Sequence, residues 1–186
     1  MKMKKQTFFT LLIIAFVLSF FVTPLGDYSK ILLNRWLAMA PTIITPEKRG
    51  KISSYDWTLK DEDWKLFSFE EAKGNVVFIS FWTSWHMPSQ AQLKDIQSLY
   101  EKYKGRVNFY IITNEERAPV ELFMEEHGYT FPVTYRIVGE DSPVTILKPP
   151  GSYIIDKNGF IAVHQNAIAD WDNSAVDALL EELISE

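Results

Sequence analysis

The 186-residue sequence contains no cysteine. Without a thiol, the chain has no means of forming a disulfide and no thiolate to act as a nucleophile or metal ligand. A lipid attached through cysteine is excluded as well. We therefore expect the fold to depend on its packed core alone, and the function to depend on other side chains.

Two further features are missing, a glycine-rich nucleotide loop and a basic stripe. Only 8 glycines are present, and none of them lies in a phosphate-cradling motif. Residues 51–186 carry 12 Lys and Arg against 22 Asp and Glu, a difference of −10, whereas residues 1–50 carry 7 against 2, a difference of +5. Because nucleic-acid binding depends on neutralising phosphates, the sequence predicts neither a nucleotide nor a nucleic acid as a partner.

The N-terminus has the pattern of a membrane-targeting segment. Three lysines precede an uncharged, mostly apolar stretch from Phe8 to Val22, which continues more weakly to Leu25. At about 1.5 Å per residue, the stretch from Thr7 to Leu25 is roughly 28 Å long, close to the thickness of a bilayer core. The pattern predicts a transmembrane helix over residues 1–26.

A cleaved signal peptide is the alternative to an anchor. The nearest small-x-small cleavage site, Ala38 to Ala40, lies well beyond the apolar stretch and is followed by Pro41, so we favour an uncleaved anchor. Lys2, Lys4 and Lys5 then favour a cytoplasmic N-terminus. The expected localisation is a single pass through the inner or cytoplasmic membrane, with a periplasmic or extracytoplasmic C-terminal domain.

Residues 27–50 separate the predicted anchor from the predicted domain. Tyr28 to Ala40 repeats apolar residues at helical spacing, which fits either an amphipathic helix at the membrane interface or a simple linker. Pro41 to Gly50 then interrupts this periodicity. We therefore place the domain at residues 51–186.

Within that domain, strand and helix patterns alternate and then give way to a hairpin. The predicted elements are a strand at Val76–Trp82, a helix at Ser89–Tyr103, a strand at Val107–Thr113, a helix at Val120–His127, strands at Tyr153–Asp156 and Phe160–His164, and a last helix capped by Asp172 or Asn173. Strands separated by helices pair in parallel, whereas Asn158-Gly159 favours an antiparallel hairpin. The pattern predicts an α/β domain whose mixed sheet is flanked by helices.

Two segments carry a resemblance to a known family. Phe81 to Lys94 reads FWTSWHMPSQAQLK, and Pro150 to Ile161 reads PGSYIIDKNGFI. They resemble the thioredoxin superfamily, most of all its membrane-anchored periplasmic branch of the TlpA and ResA type, where the motifs are F-W-A-T-W-C-x-P-C-x-x-E-x-P and P-T-T-F-L-I-D-x-x-G-x-I. The similarity covers roughly residues 55–186 and implies a thioredoxin-like fold.

This sequence departs from the branch at the positions that carry its chemistry. The resemblance aligns His86 and Ser89 with the two redox cysteines, and Gln92 with the acidic residue that handles protons. Because neither imidazole nor hydroxyl exchanges electrons through a sulfur-sulfur bond, we expect these degenerate positions to be redox-inactive, leaving no catalytic residue. The resemblance also implies that Pro150 is the cis-proline, preceded here by Pro149, which has no N–H to hold a substrate strand.

The predicted function is a redox-inactive module that binds a protein partner and requires no cofactor. The expected binding groove comprises Trp85, His86, Met87, Pro88, Pro149 and Pro150. Of the nearby aromatic residues, we expect Trp82 to pack in the core and Trp85 and Tyr153 to be partly exposed. Glu115 and Glu116 fit a solvated loop.

The alternative function is a thiol-disulfide oxidoreductase that works with an external thiol or metal. His86 and Met87 are adjacent and could form part of a copper site, although two ligands are too few. His86 and Ser89 could also form a Ser-His pair, but a hydrolase needs an orienting group and an oxyanion hole that the sequence does not indicate.

Overall fold

The computed structural model describes residues 5–22, 26, 29–33 and 37–186. The helices are α1 (Lys5–Val22), α2 (Met87–Tyr103), α3 (Arg117–His127) and α4 (Ser174–Ser185), and the strands are β1 (Thr58–Lys60), β2 (Leu66–Ser68), β3 (Val77–Phe81), β4 (Asn108–Thr113), β5 (Val133–Arg136), β6 (Gly151–Ile155) and β7 (Ile161–Gln165). Short 3-10 turns occur at Pro46–Lys48 and Phe69–Ala72.

All seven strands form one mixed sheet in the order β2-β1-β5-β4-β3-β6-β7. Strands β3, β4 and β5 are parallel, and every other pair is antiparallel. The carboxyl ends of β3, β4 and β5 therefore share one edge of the sheet, where antiparallel β6 begins opposite Phe81, at Gly151. The expected mixed α/β fold is confirmed.

Local sequence explains where these elements begin and end. All five residues of β3 are buried, as expected for a strand covered on both faces. Gly128 caps the end of helix α3, and its φ of 67° is a left-handed conformation that glycine adopts without strain. Asn173 caps α4 by accepting hydrogen bonds from the backbone N–H groups of Ala175 and Val176.

A separate hydrophobic cluster packs on each face of the sheet. Helices α2, α3 and α4 cover one face, with contributions that include Leu93, Phe123 and Leu180. The other face is covered by Trp57, by the 3-10 turn Phe69–Ala72 and by the loop before β6. Helix α2 follows the end of β3, and this loop leads into the start of β6 opposite Phe81. Both segments therefore lie at the carboxyl edge of the sheet, one on each face.

A segment that the sequence marked as linker docks against strand β7. The N–H of Ile44 donates to Ala162 O (2.8 Å), and the N–H of Ile161 donates to Gly50 O (2.8 Å). The side chains of Arg49 and Asp156, which are 6% and 5% exposed, form an ion pair at 3.7 Å. The folded domain therefore includes residues before the expected boundary at residue 51.

The N-terminal prediction is met only in part. Residues 5–22 form an 18-residue helix, and residues 29–33 are helical. Within the described part of the chain, no helix combines the length and hydropathy needed to cross a membrane, so the transmembrane helix expected over residues 1–26 is not found there. Residues 1–4, 23–25, 27–28 and 34–36 of the predicted anchor and amphipathic segment lie outside the described residues.

Candidate functional site

The site is built around the start of helix α2. His86 caps this helix with an extended backbone (φ −96°, ψ 109°), and its side chain makes no capping hydrogen bond. Its Nδ1 lies 3.3 Å from Ser89 Oγ. Ser89 is wholly buried and His86 is half-buried. The two positions that the resemblance aligned with cysteines therefore lie one turn apart and contact each other.

Glu115 fixes the loop that leads from β3 to α2. One carboxylate oxygen accepts a hydrogen bond from Ser84 N–H (2.6 Å) and the other accepts one from Ser84 Oγ (2.7 Å). Thr113 Oγ1 also donates to Glu115 (3.2 Å), and Gln90 Nε2 donates to Ser84 O. Glu115 ties the loop to the end of β4, so its interpretation as a simple solvated loop residue is wrong.

The three aromatic side chains expected at the site differ in exposure. Trp85 is 72% exposed, and its ring stands edge-on to His86 at 5.8 Å. Trp82 is buried in the core, as expected, and donates from Nε1 to Ile111 O (3.3 Å). Tyr153, however, is only 2% exposed. The expected exposure of Tyr153 is wrong because it lies in the fully buried strand β6.

Burial and hydrogen bonding explain the state of the Tyr153 hydroxyl. It donates to Thr145 O (3.0 Å) and lies 3.4 Å from His164 Nε2. Desolvation raises the pKa of Tyr153 above that of an ordinary tyrosine. The phenol therefore stays protonated at neutral pH and serves as a structural hydrogen-bond donor rather than an acid.

A chain of buried polar side chains runs beneath the start of α2. Ser152 Oγ donates to Ser80 Oγ (3.0 Å), Gln92 Nε2 donates to the same oxygen (3.4 Å), and Trp171 Nε1 donates to Gln92 Oε1 (3.4 Å). All four residues are at most 1% exposed. Gln92 both donates and accepts, which suits a neutral amide and not an ionised carboxylate.

Sequence reasoning identified Gln92 but missed the three residues that hold it. The one available signal was Ser80, a hydroxyl in the otherwise apolar strand VFISF. A buried hydroxyl needs a hydrogen-bond partner, so its presence in such a strand indicates a polar contact across the core. The partners themselves come from β6 and from the loop before α4, which local spacing does not bring together.

The loop before β6 completes the site on the other face of the sheet. The peptide bond between Pro149 and Pro150 is cis, which is the geometry that the resemblance implied for Pro150. Pro150 is buried and Pro149 is half-buried. Pro149 lines a cavity of about 210 Å³, here called the edge cavity, together with Phe81, Trp82, Ile112, Thr113, Asn114, Arg136 and residues 146–148.

The remaining histidines lie in other environments. His127 Nδ1 is 2.9 Å from Phe123 O, and the ring of His164 stacks on Tyr153 at 4.7 Å. Over the described ranges, no group of three or more His, Cys, Asp or Glu side chains could hold a metal ion. His86 and Met87 thus gain no third ligand of these types there.

Comparison with known proteins agrees with the fold. Residues 53–164, more than half of the chain, match the model of the AhpC/TSA family. The chain belongs to this family. The sheet, the cis-proline loop and the start of helix α2, which His86 caps, lie within the matched region or border it.

Individual relatives include a thioredoxin-like protein and a thiol-disulfide oxidoreductase. The chain is 27% identical over 111 residues to the thioredoxin-like protein YneN of Bacillus subtilis, an alignment that covers 57% of this chain and 65% of YneN, just under two thirds. It is 25% identical over 134 residues to the thiol-disulfide oxidoreductase ResA of Bacillus cereus, covering 69% of this chain and 75% of ResA.

Solved structures resemble the fold at lower sequence identity. A DsbF homologue from Corynebacterium diphtheriae matches with a TM-score of 0.60 at 14% identity, over 79% of this chain and 93% of that one. A secreted thiol-disulfide isomerase from Corynebacterium glutamicum matches with a TM-score of 0.61 at 15% identity, over 78% and 92%. These likenesses establish the thioredoxin-like fold.

Proposed function

We propose that this protein is a redox-inactive binding module that presents the carboxyl edge of its thioredoxin-like sheet to a protein partner. The observation that carries the proposal is the His86–Ser89 contact of 3.3 Å at the start of α2. In a chain without cysteine, this pair stands where the related family uses two thiols. Exchange of electrons through a sulfur-sulfur bond needs those thiols.

The surface next to this pair supports protein binding. Trp85 lies in the loop between β3 and α2, next to the half-buried His86, and exposes 72% of its surface. Exposed tryptophans are over-represented among the residues that dominate binding energy in interfaces. Pro149 lines the edge cavity but has no N–H, so a partner strand at this loop would form one backbone hydrogen bond fewer than in the family.

The proposal includes an anchor formed by residues 1–26. Large apolar side chains of α1 such as Phe9 and Phe16 are 63% and 71% exposed, as suits contact with an apolar medium. Three lysines precede the apolar stretch and favour a cytoplasmic N-terminus. The domain would then lie on the periplasmic or extracytoplasmic side.

A pull-down with the full chain tests the binding function. Bait proteins carrying Trp85→Ala or His86→Ala are compared with the unmodified chain for recovery of partners from solubilised membranes. Trp64→Ala is the matched control, since Trp64 is also exposed (45%) but lies between β1 and β2. Loss of a dominant aromatic contact costs about 2 kcal/mol, or roughly 30-fold in affinity.

The expected result is a partner whose recovery falls with Trp85→Ala and is unchanged with Trp64→Ala. Partners that are recovered equally by all variants would show that this edge of the sheet is not the interface.

The names of relatives such as ResA favour a second candidate, an oxidoreductase that borrows an external thiol or a metal. Its test is reduction of insulin and of a small disulfide by the purified chain, with and without added glutathione or copper. Turnover above that of a heat-treated sample would overturn the redox-inactive proposal.

A further inference from the structure

The charge of the edge cavity is opposite to that of the surrounding domain. Its charged lining residues, within the described chain, are Arg136 and Lys148. The domain from residue 51 onward has ten more acidic than basic side chains. The cavity is therefore a local positive region that attracts anionic groups, although the domain as a whole is acidic.

Neither cation has an acidic partner in the part of the chain that the structure describes. Five other basic side chains between residues 65 and 117 form ion pairs with Asp or Glu, namely Lys65, Lys102, Lys104, Arg106 and Arg117. Among the described residues, no Asp or Glu pairs with Arg136 or Lys148, and no hydrogen bond is made by either side chain. The carboxylate that lies near the end of β4, Glu115, already binds Ser84 and Thr113.

Arg136 is well placed to bind a carboxylate. It ends β5 and is half-buried, so its guanidinium lies where the effective dielectric is lower than in water and an ion pair is stronger. Arginine donates two parallel hydrogen bonds to a carboxylate. Lys148 lies in the loop directly before Pro149 and adds a second positive charge at the same cavity.

The size of the cavity indicates a side chain rather than a metabolite. Its volume of about 210 Å³ is below the range of about 300–1,000 Å³ that is typical of small-molecule sites. A second cavity of about 500 Å³ is lined by acidic residues that include Asp61, Glu62 and Glu71. The two cavities therefore select opposite charges, and only the smaller one adjoins the cis-proline loop.

We infer that the edge cavity receives an Asp or Glu side chain from an extended segment of the protein partner, with Arg136 as the bidentate donor and Lys148 as a supporting charge. The inference rests on the proposed binding function and specifies the chemistry of the segment that is bound.

Peptide libraries test this inference on the full chain, kept in mild detergent. Three libraries of nine-residue peptides carry Glu, Gln or Lys at the centre and random residues other than cysteine elsewhere, and retained peptides are quantified by mass spectrometry. The unmodified protein should retain the Glu library about tenfold better than the Gln library, the value expected for one charge-assisted contact. Retention of the Lys library should be lowest.

Substitutions then assign the preference to the cavity. Arg136→Gln should abolish it, Lys148→Gln should reduce it, and Arg136→Lys should leave an intermediate preference because lysine lacks the planar fork. Lys73→Gln is the matched control, since Lys73 is exposed and follows the Phe69–Ala72 turn, before β3 begins. If Arg136→Gln fails to fold, Lys148→Gln decides the question, because it removes the second positive charge of the cavity and should still reduce the preference for the Glu library.

The outcomes separate this inference from the proposed function. Equal retention of the Glu and Gln libraries, with both lowered by Trp85→Ala, would overturn the acidic segment and leave the binding module standing. If no library is retained but the pull-down is sensitive to Trp85→Ala, the acidic segment would likewise be overturned and the binding module would stand. Negative results in both experiments would overturn both proposals.

Discussion

Replacing His86 and Ser89 together by cysteine would restore the two thiols that the fold accommodates in related proteins. The two positions lie three residues apart across the first turn of α2, and their present side chains are already in contact at 3.3 Å. Ser89 is wholly buried and His86 is half-buried. We therefore expect a disulfide to form in mild oxidant, and after reduction the thiol at position 86 should be the one that reacts with reagents.

The size of both effects follows from the geometry. Closing a four-residue loop in the unfolded chain corresponds to about 2 kcal/mol in the chain-entropy model, so the oxidised variant should unfold at higher denaturant concentration than its reduced form. A helix N-terminus lowers the pKa of a thiol. A thiol with a pKa near 7 is about half ionised at pH 7, against about 3% for an ordinary thiol. Its thiolate is, however, about fivefold less nucleophilic than the thiolate of an ordinary thiol. The net expectation is roughly threefold faster alkylation.

The assay is the rate of iodoacetamide labelling against pH, read by mass spectrometry, for His86→Cys alone and for the double variant. Lys94→Cys supplies the control, since Lys94 is exposed in the interior of the same helix. Failure of the 86–89 disulfide to form would refute the placement of these residues at a strand-to-helix turn. A labelling profile at position 86 no different from that at position 94 would refute the argument from the helix terminus.

Three further predictions concern buried or constrained positions. Insulin reduction by the double cysteine variant should remain slow until Gln92→Glu and Pro149→Thr are added. Equal rates for the double and the fourfold variant would contradict the roles given to Gln92 and Pro149. Gln92→Glu alone places a carboxyl group among buried side chains, and this burial raises the pKa of the carboxyl group. Chemical denaturation should therefore show near-normal stability at pH 4, where the group is protonated, and a loss of about 1–3 kcal/mol at pH 8, where it would have to ionise. A loss that grew on acidification would refute this reasoning. Arg49→Met removes the ion-pair partner of buried Asp156, which keeps the hydrogen bonds that its Oδ1 accepts from the N–H groups of Asn158 and Phe160. The free energy of unfolding should fall by about 3 kcal/mol, and adding Asp156→Asn should recover part of that loss. Equal stability of the single and the double variant would deny the ion pair a role.

The sequence predicted the strands and helices that have strong periodicity. Strands β3 and β4, helices α2 and α3 and the β6–β7 hairpin all lie where apolar runs, Pro88, Gly128 and Asn158-Gly159 indicated. Strands β1, β2 and β5 were missed because they have only three or four residues each, too few to show an alternating pattern. Their pairing depends on long-range contacts with the rest of the sheet.

The candidate site was predictable where one motif contained its residues. Ser89 and Gln92 lie on α2 and His86 caps it, in the strand-to-helix turn that the resemblance implied. Arg136 and the partners of Gln92 could not be found in this way, because the sheet brings them together from four separate elements. Glu115 was misjudged for the same reason, since its role appears only when β4 and the loop after β3 end side by side.

The docking of the chain before β1 would limit how far the domain could move from the proposed anchor. The N–H of Asp170 donates to Met39 O at 3.0 Å, so the described contacts with the domain body begin at Met39. Twelve residues, and therefore thirteen residue-to-residue steps, separate this point from the end of the proposed anchor at residue 26. At a maximum of about 3.5 Å per residue, they span at most about 45 Å. An anchored domain would therefore search only a thin layer above the bilayer, where a partner fixed in the same membrane meets it at a far higher local concentration than a freely diffusing one.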